Sequence, residues 1–427
     1  NGFSLSPAGV WTATGPAAAS PRRRDPAVRQ TPEEIVSGKL SQFGRSRRDI
    51  AHAIGRRSKK EVPPEVEKFF DAVEGGRWDE VEASWKGLAR KSGQYENSVH
   101  APELDEFWPP VLEAYGAAEA VHLWPAQKLL DYGDAVLGSL RPGMVYVGGT
   151  DPGRFIPTML NETSDGEQHI ILTQNALADG RYQEYLRFLY GDRFGLPTGD
   201  ESQAAFQDYV QDAQKRLLHD QQFPDEPKQV RPGEKIAMSD GRVQVSGQVA
   251  VMGVNERLLQ IILDKNPGAA FALEESFPMK NTYPGAVPLG PLMELRSDAS
   301  QTPFTSDTAS QALDYLRGLA QQAQPGAEDA GNPDVLKTYA HMANAQANLF
   351  ADHHFDDQAE QAYKLATSIW PDNIEAVKGY SEFLAGQGRG QEATQILDAF
   401  AKAYPKQNSE LQIFRGSITF TAPQGAK

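Results

Sequence analysis

A chain of 427 residues is about three times a typical domain, so its length favours two or three domains over one. Its 40% hydrophobic and 9% aromatic residues suffice for apolar cores, yet its longest apolar runs, such as 249–254, fall far short of the ~20 residues a membrane helix needs. The absence of cysteine excludes disulfides, thiol catalysis and Cys-ligated zinc or iron–sulfur clusters.

The net charge of −15 conceals an asymmetry. Residues 1–60 hold twelve Lys and Arg against four Asp and Glu, so a segment of +8 is attached to a body of −23. This segment reads as an extended basic arm. It has isolated apolar residues Phe3, Leu5, Val10 and Trp11, a basic cluster Arg22-Arg23-Arg24, and helical tendencies around 32–40 and 45–54. Isolated apolar residues in an extended polar segment are typical anchors for a groove or a sheet edge. An arm opposite in charge to its own body is expected to dock on a neighbouring copy; a solvated tail is the plain alternative. Nucleic acid and membrane spans are not expected. The start at Asn1, without Met, fits a chain whose leader has been removed, and with it a secreted or cell-surface location outside the cytoplasm.

Residues 61–140 read as helices. Val66, Phe69, Phe70 and Val73 share a face, Gly75-Gly76-Arg77 makes a turn, and Val81, Trp85 and Leu88 form the next apolar stripe. Two more helices are predicted over 103–119, broken near Pro109-Pro110, and over 125–140, stopped by Pro142-Gly143.

Residues 141–300 read as an α/β domain with a mostly parallel sheet. Strands are predicted at 144–147, 169–173, 270–273 and 292–295, helices from 155 and over 202–218 and 255–264, a helix carrying Tyr182, Tyr185, Leu186 and Leu189, and a hairpin at Asp240-Gly241. Gly148-Gly149-Thr150-Asp151-Pro152-Gly153-Arg154 joins a strand to a helix, where backbone N–H groups can receive an anion, with Arg154 adding charge. It is neither a Walker nor a G-x-G-x-x-G pattern, and a tight turn needing glycine explains it equally well. Glu274-Glu275 follows a strand, at the edge where α/β proteins bind ligands, and with Asp151 completes the candidate ligand site; Lys280, Asn281 and Tyr283 line the same rim.

Residues 301–427 return to helix and repeat themselves. Ala359, Tyr363 and Pro371 recur 34 residues on as Ala393, Leu397 and Pro405. This period and pattern resemble tetratricopeptide repeats over 340–407, with Gly76-Arg77-Trp78-Asp79-Glu80-Val81 as a degenerate further example. Phe400 stands where a small residue is usual, which marks a terminal, capping-like unit. The resemblance implies a curved surface that binds a peptide or protein. The fold class is thus an α/β centre between helical segments, with C-terminal repeats and an extended N-terminal arm.

The series Tyr146-Val147-Gly148-Gly149-Thr150-Asp151, His169-Ile170-Ile171-Leu172-Thr173-Gln174-Asn175 and Ala270-Phe271-Ala272-Leu273 resembles the soluble domain of bacterial membrane proteins related to protein O-mannosyltransferases. That likeness implies a fold and a link to surface glycosylation, but transfers no catalytic residue.

Other signatures are sparse. His353-His354 sits at a turn, and no HExxH or GxSxG occurs. No metal or cofactor is called for. Asn161-Glu162-Thr163 is a glycosylation sequon and Thr308, in Asp307-Thr308-Ala309, an O-glycosylation candidate, although Thr305 or Asp307 also suits a helix cap. The sequence therefore points to a non-enzymatic, self-associating scaffold, a homo-polymer forming a fibre or surface assembly. The alternatives are a sugar- or sugar-phosphate-binding accessory protein or enzyme of surface glycosylation, and a monomeric peptide-binding adaptor.

Overall fold

The computed structural model describes residues 3–5, 11–13, 30–95, 97–149, 151–231, 233–239, 242–275, 284–295, 303–324 and 333–417. Near the amino terminus β1 (Phe3–Leu5) pairs antiparallel with β2 (Trp11–Ala13). The chain then enters α1 (Pro32–Ser58), one helix of 27 residues. Thr31 caps it: its hydroxyl accepts from the Glu34 amide at 3.2 Å, and the Glu34 carboxylate accepts from the Thr31 amide at 2.9 Å.

This corrects the extended arm of residues 1–60. Val36, Leu40, Phe43, Ala51 and Ile54 recur at helical spacing and are buried, so everything from Pro32 belongs to the folded body. The charge opposition is met within the chain. Arg48 lies 3.3 Å from Glu67 and 2.9 Å from Glu74, Arg45 is 3.4 Å from Glu74, and Lys60 is 2.6 Å from Glu106. Arg47, 3% exposed, sits 2.7 Å from Glu113 and also pairs with Glu162.

Helices α2 (Pro64–Glu74) and α3 (Trp78–Ala89) form the expected hairpin, with Gly76 at φ +62° in its turn. Then come α4 (Trp108–Leu123) and α5 (Ala126–Leu137). Pro109 and Pro110 do not break α4. They occupy its first turn, where a missing N–H costs nothing. Helix α4 is buried on nearly all sides, and Gly116 makes room for Phe155, whose ring would lie 2.2 Å from a Cβ there.

The central segment runs β3 (Val145–Gly148), α6 (Asp151–Glu162), β4 (Ile170–Thr173), α7 (Gly180–Tyr190), α8 (Gly199–Gln222), the hairpin β5 (Lys235–Ser239) and β6 (Arg242–Ser246), α9 (Gln248–Lys265), β7 (Phe271–Leu273), β8 (Ala286–Leu289) and β9 (Leu292–Leu295). The main sheet has the order β4-β3-β7-β9-β8. Val145 is in parallel register with Ile170 and Phe271, whereas Phe271 and Ala286 both face Leu295 across antiparallel pairs. The sheet is therefore small and mixed rather than mostly parallel. Its unforeseen strand β8 carries Pro288 at the sheet edge, where a proline is tolerated but hides the strand pattern.

The carboxyl-terminal helices are α10 (Ser306–Ala323), α11 (Pro333–Asp352), α12 (Asp356–Ile369), α13 (Ile374–Gly386), α14 (Gly390–Ala403) and α15 (Asn408–Ser417). Helices α11 with α12 and α13 with α14 pack as successive hairpins. One apolar core runs from α1 through the sheet to α11 and α13, so the helices of 61–140, the sheet and the first repeat helix share an interior.

Candidate functional site

The parallel strands β3, β4 and β7 end together at Gly148, Thr173 and Leu273, and the chemistry gathers on that edge. Glu274, 2% exposed, accepts from the Gly149 amide at 3.0 Å and from the Tyr132 hydroxyl of α5 at 2.9 Å. The Tyr146 hydroxyl donates to the Gly153 carbonyl at 2.7 Å. A Cβ on Gly153 would lie 1.9 Å from Glu274 Oε2, and one on Gly149 would lie 2.3 Å from Glu275 Oε1. Both positions are glycine because two carboxylates fill the space a side chain needs.

This overturns the anion-loop reading of Gly148 and Gly149. The Gly149 amide is spent on an internal carboxylate, and a phosphate arriving there would face Glu274 and Glu275. Arg154 lies over aromatic rings, its guanidinium 4.6 Å from Phe155 and 5.8 Å from Tyr182. Thr150 lies outside the described residues, as do Lys280, Asn281 and Tyr283; Asp151 opens α6, its side chain being outside the description.

Burial and then the neighbouring Glu274 push the Glu275 carboxyl up to about 8, so it holds its proton at neutral pH. Burial and the same Glu274 raise the Tyr132 and Tyr146 phenols well above their ordinary value. The loop after β4 ties the edge together. Gln174 Nε2 donates to the Glu275 carbonyl at 3.2 Å and Asn175 Nδ2 to the Gly149 carbonyl.

Beside this edge lies a cleft of about 390 Å³ between α4, the start of α6 and α11. Its walls include Glu119 of α4 and Trp124 just after it, Phe155 of α6, Asn175, and Lys337 and His341 of α11. Burial, helped by Lys337, holds the His341 imidazole down at about 4, so it is neutral at pH 7 and can both donate and accept. The sequence reading missed Glu119, Lys337 and His341, which come from helices far apart in the chain. The available signal was the Lys337–His341 spacing of one helical turn, which puts both on one face.

In the repeats, Ala347, Ala359, Ala366 and Ala393 are fully buried where helices cross. Tyr363 and Tyr380 stack at 5.7 Å, and Arg389, just before α14, reaches Glu360 of α12 at 2.6 Å. Phe400 is large because α15 follows: it packs with Leu411, Phe414, Leu397 and Val377 in a separate apolar cluster. His353-His354 falls in the turn between α11 and α12, with His354 at φ +60°.

Other candidates are dispersed. Asn161 is buried, its amide donating to the His169 carbonyl at 3.0 Å and accepting from the His169 amide at 2.8 Å, which corrects its reading as a glycan acceptor. Thr308 is exposed and completes the cap of α10 with Thr305. Val10, Arg22, Arg23 and Arg24 lie outside the described residues, and of Phe3, Leu5 and Trp11 only the backbone is described.

Residues 357–418, from α12 through α15, match the tetratricopeptide repeat family. This region is a helical-repeat module of the protein–protein interaction class. No curated protein and no solved structure matches the chain significantly, so the likeness of 141–296 to the mannosyltransferase-related domain gains no support.

Proposed function

We propose that this chain is a non-enzymatic scaffold that holds a segment of a partner protein along its C-terminal repeats. The observation that carries the proposal is the double role of α11. Its residues Lys337, Thr338 and His341 close the cleft at the sheet edge, and the same helix packs on α12 as the first repeat hairpin. Farther along α11, Asn344 and Asn348 approach α13 at Gly379, where a Cβ would lie 3.4 and 3.5 Å from their Oδ1 atoms. Helical spacing from His341 through Asn344 to Asn348 makes one polar line leading from the cleft into the repeats.

Peptides selected by display on the immobilised chain provide the test. The variants Asn344→Arg and His341→Glu are expected to weaken selected peptides at least about tenfold, the equivalent of ~1.4 kcal/mol. Peptides that bind both variants as well as the parent, with the fold intact by circular dichroism, would refute the reading.

A second reading, self-association through residues 1–31, is favoured by β1 and β2. They form a two-stranded sheet that pairs with no other strand among the described residues, and a lone hairpin is marginal in water. Light scattering with and without residues 1–31 tests it. Loss of polymers on truncation supports an intersubunit connector, and a monomer in both forms excludes one.

A further inference from the structure

The chain contains two lone two-stranded ribbons, β1–β2 and β5–β6, and neither pairs with another strand among the described residues. Register gives each an apolar face. Phe3 stands opposite Ala13 and Leu5 opposite Trp11, so these four positions share one face of the first ribbon, and Ser4 and Thr12 take the other. In the second ribbon Ile236 opposite Val245 and Met238 opposite Val243 share the apolar face, whereas Lys235 opposite Ser246 and Ala237 opposite Gln244 take the other.

The second ribbon is fixed to the body. It packs on α8 and α9, and Glu234 at its start accepts from the Tyr209 hydroxyl and pairs with Arg216, both of α8. Its apolar face is only partly covered: Ile236 and Val245 pack against the core, but Met238 is exposed and Val243 half-buried. A groove of about 650 Å³ runs along the ribbon beside Phe206 of α8, which is exposed. A two-stranded ribbon needs a further strand or another element against its apolar face, which the first ribbon lacks and this groove supplies. Charge favours the same pairing. Residues 1–31 hold four Arg against one Asp, whereas residues 199–234 hold eight Asp and Glu against four Lys and Arg. Asp208, two residues from Phe206, is exposed, and its carboxylate makes no ion pair or hydrogen bond among the described residues.

We propose that the β1–β2 ribbon of one copy seats its apolar face, Trp11 foremost, in the groove between α8 and the β5–β6 ribbon of a second copy, with Arg22, Arg23 and Arg24 turned to the carboxylates of α8. Arg22 follows Ala13 by nine residues, about 30 Å of extended chain, so the basic cluster reaches those acids when the ribbon sits at Phe206. The inference rests on the second reading above, self-association through residues 1–31, and assigns the surface that receives them. Ribbon and groove are different surfaces, so the contact is head-to-tail and leaves a free ribbon and a free groove for further copies.

Sedimentation velocity of the full chain tests the proposal with two variants, Trp11→Ser, which keeps the groove, and Phe206→Glu, which keeps the ribbon. The parent is expected to associate, each variant alone to associate at least about tenfold more weakly, and their equimolar mixture to form a two-chain species that grows no further. Phe206 is exposed, so Phe206→Glu should leave the thermal midpoint unchanged; Met238→Glu, also at an exposed position, is the second groove variant and should lose association in the same way. Raising salt from about 0.1 M to about 1 M should weaken the parent's association severalfold, as the screening length shortens from ~10 Å to ~3 Å. Association that is lost on deletion of residues 1–31 but kept in both Phe206→Glu and Met238→Glu would leave the connector reading standing and overturn this receiving surface. A mixture of Trp11→Ser and Phe206→Glu that stays monomeric would also overturn it, and a parent that is monomeric at all concentrations would overturn both.

Discussion

Arg47 is a buried cation whose loss a single substitution can test. It projects from α1 between α4, α6 and α7, with Nε 2.7 Å from Glu113 and a second contact to Glu162, while the Tyr185 hydroxyl donates to Glu113 at 2.8 Å. Burial opposes its charged form; Tyr185, Glu113 and Glu162 more than offset this and hold its pKa above the ordinary value. In Arg47→Met, Glu113 at 8% exposure keeps a phenol but loses its cation. Breaking a buried pair on one side costs about 3–5 kcal/mol, and Glu162, whose side chain is 23% exposed, can recover part of this by turning toward water. The expected loss is therefore about 3 kcal/mol, read from urea unfolding of Arg47→Met, Glu113→Leu and the double variant. Replacing both partners by apolar groups should restore much of the loss and give a coupling of at least about 2 kcal/mol. A single-variant loss below about 1 kcal/mol, or strict additivity in the cycle, would refute the account.

Gly153→Ala should cost about 1–3 kcal/mol despite alanine's better helix propensity, because its Cβ meets the Glu274 carboxylate; a thermal midpoint at or above the parent's would show that the carboxylate moves freely. Glu275 keeps its proton in the fold up to about pH 8 but loses it near 4.5 when unfolded, so it destabilises the fold progressively as pH rises through that window. Glu275→Gln should accordingly gain stability over the parent from pH 4.5 to 8, and a flat difference across that range would contradict the burial argument. His341 has the opposite sign. Folded, it stays neutral down to about 4, whereas unfolded it charges near 6.5, so stability is full above 6.5 and falls as pH drops toward 4; imidazole NMR showing titration near 6.5 in the folded chain would refute the burial argument.

The elements read most directly from sequence are those whose apolar pattern stands alone. Val145–Gly148, Ile170–Thr173 and Leu292–Leu295 are short apolar runs, and the repeats announce themselves by a 34-residue period. The helical tendencies at 32–40 and 45–54 both fall within α1, but its continuity and burial were hidden because Arg47 stands in the middle of its buried face and Gly44 and Gly55 lower its helix propensity. Its apolar face packs into the core, and the carboxylates of α2, α4 and α6 that pair its arginines are contained in no local window. Gly44 serves tertiary packing in the same way, since a Cβ there would meet Val73 at 3.0 Å. The candidate site divides likewise: Glu274 and Glu275 were visible at a strand end, whereas Glu119, Lys337 and His341 meet only because α11 returns across the sheet edge.

That return links the two halves of the molecule. Gln346 of α11 is fully buried and donates to the Leu292 carbonyl of β9 at 2.8 Å, and Ala345 and Leu349 pack with Ala286 and Met293 of the β8–β9 hairpin. Helix α11 is therefore anchored, by a side-chain hydrogen bond to a strand carbonyl and by apolar packing, to the sheet whose strand β7 leads into Glu274. Helix α11 also packs on α12 and α13, so the sheet, the cleft and the following helices meet at one helix. On the proposed function, the cleft beside His341 and the polar line toward α13 share this helix, so occupancy of the cleft is expected to alter peptide binding at the repeats.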